Sequence, residues 1–249
     1  KVGIEKRANI LNDIGSEIIK QSEEIGTLLS REEGKTLPEG IGEVVRSGQQ
    51  FQYYAASALR QFGENIASTR EGVSVEMTRE PVGVCGIISP WNFPIAIAAW
   101  KAAPAMAFGN AVVLKPASQT PASAIALTKI ISNQKDIPEG LFNLVLGGGG
   151  TIGHQISGHS GIDAISFTGS VSVGQTIYLE AAKTMKKMQL EMGSKNPLLV
   201  MDDGDLDIAV ACATNGAYGG TGQKCTASSR LIVHEKVYKD FIQRLIKSI

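Results

Sequence analysis

The sequence predicts an α/β fold: a mostly parallel sheet covered by helices on both faces, followed by the start of a second α/β unit. Three observations lead there. From residue 82 onward, short β-rich runs alternate with helical stretches. The residue types suited to chemistry fall just after those runs, where ligands bind in such sheets. Near residue 193 the composition shifts, and a fresh strand and helix pattern follows at Leu198 to Met201 and Leu206 to Tyr218.

The elements follow in chain order. Apolar residues recur at helical spacing from Ile4 to Leu29 (Leu11, Ile14, Ile18, Ile25, Leu28), and Gly34 stops the run. A second helix is expected from about Ile41 to Leu59 through Val44, Val45, Phe51 and Tyr54. From Ile66 to Val82 the period changes to two, with Val73, Val75 and Met77 on one face and a turn at Ser68, Thr69, Glu71 and Gly72, which predicts a β-hairpin or protruding arm. The expected sheet strands are Val82 to Ile88, Ala111 to Leu114, Phe142 to Val145, Ala164 to Phe167 and Lys187 to Leu190, with a last strand at Arg230 to Val233.

Composition excludes several function classes. The 249 residues carry 24 Lys+Arg against 24 Asp+Glu, and a neutral chain lacks the basic excess that binds nucleic acid or anionic membranes. The most apolar tract, Pro94 to Leu114, is interrupted by Lys101, Pro104, Gly109 and Asn110, well short of the roughly 20 apolar residues of a membrane span. Cys85, Cys212 and Cys225 are too few and too scattered for a disulfide framework, which points to a reducing compartment, the cytoplasm. The chain opens on Lys1 rather than Met and closes within an amphipathic pattern (Val237, Phe241, Leu245, Ile249), so a piece of a longer polypeptide is expected.

Certain residues can carry chemistry, and each also has an ordinary reading. Cys225 lies in a small-residue loop, Gly219 to Thr226, beside Lys224, a setting that suits a reactive thiolate. The ordinary alternative, an inert buried thiol, fits Cys85 and Cys212 within their apolar runs better. Glu191 ends an apolar strand, where it is either a general base with a raised pKa in a partly apolar cleft or a capping carboxylate. Asn92 sits in the rigid loop Pro90-Trp91-Asn92-Phe93-Pro94, as an oxyanion donor or a turn residue. Gly147 to Gly150 and Gly169 to Gly174 follow strands and open helices, which suits a phosphate, although neither is GxGxxG or GxxxxGK[ST]. Lys115 suits a ribose hydroxyl or phosphate, or is simply a surface lysine. His154, His159 and His234 are not spaced as a metal site, so no metal is expected.

Taken together, Pro90-Trp91-Asn92-Phe93-Pro94, Lys115-Pro116-Ala117-Ser118, Phe167-Thr168-Gly169-Ser170, Leu190-Glu191-Met192-Gly193 and Gly222-Gln223-Lys224-Cys225 resemble the NAD(P)-dependent aldehyde dehydrogenase superfamily in order and spacing. The resemblance implies a Rossmann-like cofactor domain over residues 1–62 and 82–193, an oligomerisation hairpin at 63–81 and the N-terminal part of a catalytic domain at 194–249. It implies Cys225 as the nucleophile, the Asn92 side chain and the Cys225 backbone N–H as oxyanion donors, and Glu191 as the base that activates water. Lys115 resembles the lysine that holds the adenine ribose, Trp91 lines that groove, and Ser170 approaches the pyrophosphate. Ile88, Ser89, Pro90, Ser118, Gly148, Phe167, Thr168, Gly169, Glu191 and Gly193 complete the implied cofactor contacts.

Two positions refine the resemblance. Ser118 stands where NAD-preferring relatives often have Glu, so NADP is expected to be accepted, or even preferred. Glu191 is present where CoA-acylating relatives commonly lack a base, so hydrolytic release is expected. The surroundings of Cys225 and Glu191 look most like α-ketoglutaric semialdehyde dehydrogenases, and Lys115 to Pro121 more like succinate-semialdehyde dehydrogenases, which implies a short carboxylate-bearing semialdehyde. Ser194 departs from the usual second glycine. The parent is expected to be a homodimer or homotetramer; the alternative reading is a non-catalytic fragment or structural relative, since the family's later Glu-x-Phe motif is not in these residues.

Overall fold

Apolar residues at helical spacing form α1 (Ile4–Lys20) and α2 (Ser22–Glu33), which bury Leu11, Ile14, Ile18 and Leu29. The computed structural model describes residues 2–60 and 63–249; residues 1, 61 and 62, at the ends of the first expected segment, lie outside the described residues. One continuous helix was expected here, and the structure breaks it at Gln21 (φ −94°, ψ 14°). The backbone bonds still run through the kink, Gln21 N to Glu17 O and Ile25 N to Gln21 O, so the apolar period crosses it without a signal. Gly34 ends α2 in the left-handed conformation, φ +98°.

The third helix, α3 (Leu37–Ala58), starts a turn earlier than its apolar spacing suggests. Thr36 and Glu39 form a capping box there, with Pro38 in the first turn. Helices α1 and α3 cross at Gly15 and Gly48. A Cβ on either glycine would lie 2.6 Å from the other's carbonyl oxygen, so the two backbones meet directly. Beyond α3, β1 (Glu64–Ala67) and β2 (Ser74–Met77) pair antiparallel with Ile66 opposite Val75, and every residue of both strands is exposed.

The central sheet has five strands among the described residues: β3 (Val84–Ile88), β4 (Ala111–Lys115), β5 (Phe142–Leu144), β6 (Ala164–Gly169) and β7 (Lys187–Met192), in the order β5-β4-β3-β6-β7. The β5/β4, β4/β3 and β3/β6 pairs are parallel. Alternation assigns the faces. Ile87, Val112 and Leu114 join α4 (Ala96–Ala107) and α5 (Pro121–Ser132) in one buried cluster that α1, α2 and α3 extend outward. Gly86 faces the other way, and a Cβ there would meet Ile156 of α6 (His154–Gly158) at 2.6 Å. Helix α7 (Val171–Ala182) follows β6.

The chain divides into two compact units, Lys1–Glu191 and Met192–Ile249. In the second unit β8 (Asn196–Val200) and β9 (Ser228–Val233) pair in parallel. Helices α8 (Leu206–Tyr218) and α9 (Tyr238–Ser248) close a small core of Val200, Val210, Ala213, Phe241 and Leu245. Asp205 caps α8, accepting from the N–H groups of Asp207 (2.9 Å) and Ile208 (3.1 Å). Cys212, expected to be buried, is exposed. Residues Ala209 to Ala213 are apolar on every side of α8, so their period does not mark the inner face, and Val210 and Ala213 occupy it.

Candidate active site

The parallel register of the first unit aligns the strand ends. Ile88 of β3 stands beside Lys115 of β4 and beside Phe167 of β6. The segments that follow, Ser89 to Phe93, Pro116 to Ser118 and Thr168 to Ser170, therefore leave the same carboxyl edge of the sheet, the edge where α/β proteins bind ligands. Glu191 lies at the end of β7.

Several features of this edge suit a dinucleotide. Ser89 is buried, and its hydroxyl has no hydrogen-bond partner among the described residues, so a polar ligand group would satisfy it. Lys115, for which a surface position was one reading, is only 3% exposed. Its ammonium donates to the Pro116 carbonyl, and burial lowers its pKa. Gly148, Gly149 and Gly150 face open space, and the π turn Gly149–Gly153 leads into α6. Ser118 is exposed and its hydroxyl donates to the Gly147 carbonyl (3.3 Å). Ser170 caps α7, its hydroxyl accepting from the Val173 N–H. These residues fit an NAD(P) cofactor, whose phosphates favour backbone amides and whose riboses favour hydroxyl and ammonium donors.

The Asn92 loop is held from beneath by charges 52 to 57 residues away in sequence. The buried Lys35 ammonium donates to the Asn92 backbone carbonyl (2.8 Å) and to Glu43 (2.7 Å), and it lies 4.0 Å from the centre of the Phe93 ring. The other Glu43 oxygen accepts from the N–H groups of Ile95 (3.1 Å) and Ala96 (3.0 Å), where α4 begins. Burial pushes the Glu43 carboxyl up, against the opposing pull of Lys35. At the start of α5, Glu32 accepts from Ala122 N (2.6 Å), Ser123 N (2.9 Å) and the Ser123 hydroxyl (2.6 Å).

Glu191 was read as sitting in a partly apolar cleft, but its carboxylate is exposed. It accepts from Gln189 Nε2 (2.9 Å). Behind it lies Lys101 of α4, whose buried ammonium donates to Gln189 Oε1 (2.8 Å), the Ser166 hydroxyl (2.8 Å) and the Phe167 carbonyl (3.3 Å). Burial lowers the Lys101 pKa to about 8, with Glu191 pulling the other way. Lys101 did not emerge from motif reasoning; its one signal is a lysine within the apolar run of α4.

Cys225 belongs to the second unit and is exposed. The loop before it runs through three consecutive left-handed residues, Gly220 (φ +61°), Thr221 (φ +57°) and Gly222 (φ +71°). A β-branched residue is strained there, and Thr221 is anchored by its hydroxyl, which donates to the Gly220 carbonyl (2.7 Å) and accepts from Gln223 Nε2 (2.6 Å). The Cys225 carbonyl accepts from Asn196 Nδ2 (2.8 Å) at the start of β8. Lys224 donates to the Asn215 carbonyl (3.5 Å). Gly193 and Ser194 are exposed. Among the described residues no three His, Cys, Asp or Glu side chains are grouped to hold a metal ion, and no helix is long and apolar enough to cross a membrane.

Known proteins match this arrangement over its whole length. The aldehyde dehydrogenase family model matches residues 1–249. An α-ketoglutaric semialdehyde dehydrogenase of Bacillus subtilis (strain 168) is 46% identical over 90% of this chain and 46% of its own length. An α-ketoglutarate semialdehyde dehydrogenase of Haloferax volcanii is 42% identical over 97% of this chain and 50% of its own. The crystal structure of Staphylococcus aureus betaine aldehyde dehydrogenase in complex with NAD+ superposes with a TM-score of 0.96 at 36% identity, covering 99% of this chain and 49% of that one. The chain thus spans about half the length of the relatives it matches.

Proposed function

The chain belongs to the aldehyde dehydrogenase family, and from that premise we propose that the protein oxidises a short, carboxylate-bearing semialdehyde to its acid with NAD(P)+. The single observation that carries this reading is the β3/β4/β6 register, which presents Ser89 to Phe93, Lys115 to Ser118 and Thr168 to Ser170 on one edge of the sheet. The proposed substrate class is supported by the semialdehyde relatives.

In this reading the Cys225 thiolate attacks the aldehyde carbon and forms a thiohemiacetal. The Asn92 side-chain amide and the Cys225 backbone N–H stabilise the oxyanion. A bound nicotinamide would supply the hydride acceptor, and the thioester that results stays on Cys225. Glu191, held by Gln189, takes the proton of the attacking water, and the acid departs. Ile88, Ser89, Pro90, Trp91, Lys115, Ser118, Gly148, Phe167, Thr168, Gly169, Ser170, Glu191 and Gly193 would hold the cofactor, and Ser118, which brings no negative charge, would let NADP be accepted. Residues 1–62 and 82–193 act as the cofactor domain and 194–249 as part of the catalytic domain. The hairpin at 63–81 joins copies into a dimer or tetramer, and three free cysteines suit the cytoplasm.

The test is reduction of NAD(P)+ by α-ketoglutaric and succinic semialdehydes, followed at 340 nm. Turnover that disappears in Cys225→Ser and stalls after one burst in Glu191→Gln supports the reading. Dinucleotide binding without turnover of any aldehyde replaces it with a non-catalytic role.

A further inference from the structure

Resting on the proposed function, we infer that Lys35 and Glu43 are positioning residues for the oxyanion donor Asn92. The pair touches neither substrate nor cofactor in the proposed scheme. It nevertheless fixes the Asn92 loop at three points: the Asn92 carbonyl on the Lys35 ammonium, the Phe93 ring 4.0 Å from that ammonium, and the Ile95 and Ala96 amides on the Glu43 carboxylate. Both side chains are nearly sealed from solvent, 2% and 1% exposed.

Removing two opposite charges from water costs free energy that their attraction only partly offsets, and apolar replacements of such pairs are often as stable. Stability alone therefore explains this pair poorly. Its geometry fits another role. One cation and one anion, both from the helical layer, bracket residues 92 to 96, and the backbone between them has little freedom left to move the Asn92 amide. A donor to a developing oxyanion must be within a few tenths of an ångström of its place, since misplacement by about 1 Å costs roughly a hundredfold in rate.

The test is the double variant Lys35→Met/Glu43→Gln in the active enzyme. It removes both charges of the pair, leaves the neighbouring Glu33 carboxylate (3.8 Å from the Lys35 ammonium) with the Lys35 backbone N–H as its partner, and the carbonyl oxygen of the introduced side-chain amide still accepts from the α4 N–H groups. The expected result is a protein that still folds cooperatively, unchanged NAD(P)+ affinity, and kcat/KM for the aldehyde lowered about tenfold to a hundredfold. In an Asn92→Ala background the same pair should cost less than about twofold, because the group it positions is gone. Lys35→Arg in place of Lys35→Met, with Glu43 kept, should restore much of the rate. If the double variant does not fold, Phe93→Leu, which leaves the ion pair intact, should show a smaller loss that likewise disappears with Asn92→Ala. An equal loss in both backgrounds, or a wild-type kcat/KM in the double variant, overturns the inference while leaving the function standing. A wild type that turns over no aldehyde overturns both.

Discussion

Lys101 shows how one buried group makes the protein sensitive to pH. Its pKa is lowered from the ordinary 10.5 to about 8, so between those values the unfolded chain holds a proton that the native one has released. Stability therefore rises with pH across that window. The expected outcome in urea denaturation is that wild type gains stability relative to Lys101→Met between pH 8 and pH 10; a constant difference counts against it. Ser118 governs a different equilibrium. Its neutral hydroxyl does not oppose a 2′-phosphate, whereas a carboxylate at the same place does. Ser118→Glu is expected to lower kcat/KM for NADP at least tenfold relative to NAD, and a wild-type value for NADP more than tenfold below that for NAD refutes the role. That Asn92 and Glu191 adjoin strand ends and Cys225 a glycine loop was legible in the sequence. Lys35, Glu43 and Lys101 were not. Each is a charge on a helix or at its edge whose burial depends on partners 8 to 88 residues away, and local pattern reads such residues as solvated.

Among the elements, the hairpin is the most exposed. Ile66 and Val75 face one another across it, 43% and 41% exposed, and an apolar ribbon left in water favours a partner. If the hairpin joins copies as proposed, Ile66→Asp/Val75→Asp lowers the particle mass seen by light scattering, with little change in the helical signal of the rest. An unchanged mass removes the hairpin from the interface. The hairpin and the alternation of strands and helices were readable because periods of 2 and 3.6 differ clearly. The kink at Gln21 was not, since its hydrogen bonds bridge the break. The true start of α3 was written in Thr36-Leu37-Pro38-Glu39, a capping signal that apolar spacing alone overlooks.

For the whole molecule, the two units differ in what holds them. The first buries Leu11, Phe51, Ile87, Leu114 and Ile131 in one cluster across three layers, whereas the second relies on five buried residues beneath a two-stranded sheet. Local opening is cheaper where fewer apolar groups must be exposed. Amide hydrogen exchange is thus expected to show protection in β3 and β4 at least tenfold above that in β8 and β9, and equal protection contradicts this account. The second compact unit begins at Met192, close to the composition shift near residue 193, and Leu199, Ile208, Leu231 and Ile232, which look like core residues, are exposed in it.

The carboxylates of Glu32 and Glu43 have one more consequence. A phosphate approaching the sheet edge meets several helix starts, each attracting negative charge. Two of these, on α5 and α4, already hold an anion built into the chain, and α7 offers a neutral serine instead. The starts of α4 and α5 are thus neutralised by the chain's own carboxylates and are poor seats for an added anion, whereas the start of α7 carries no negative charge.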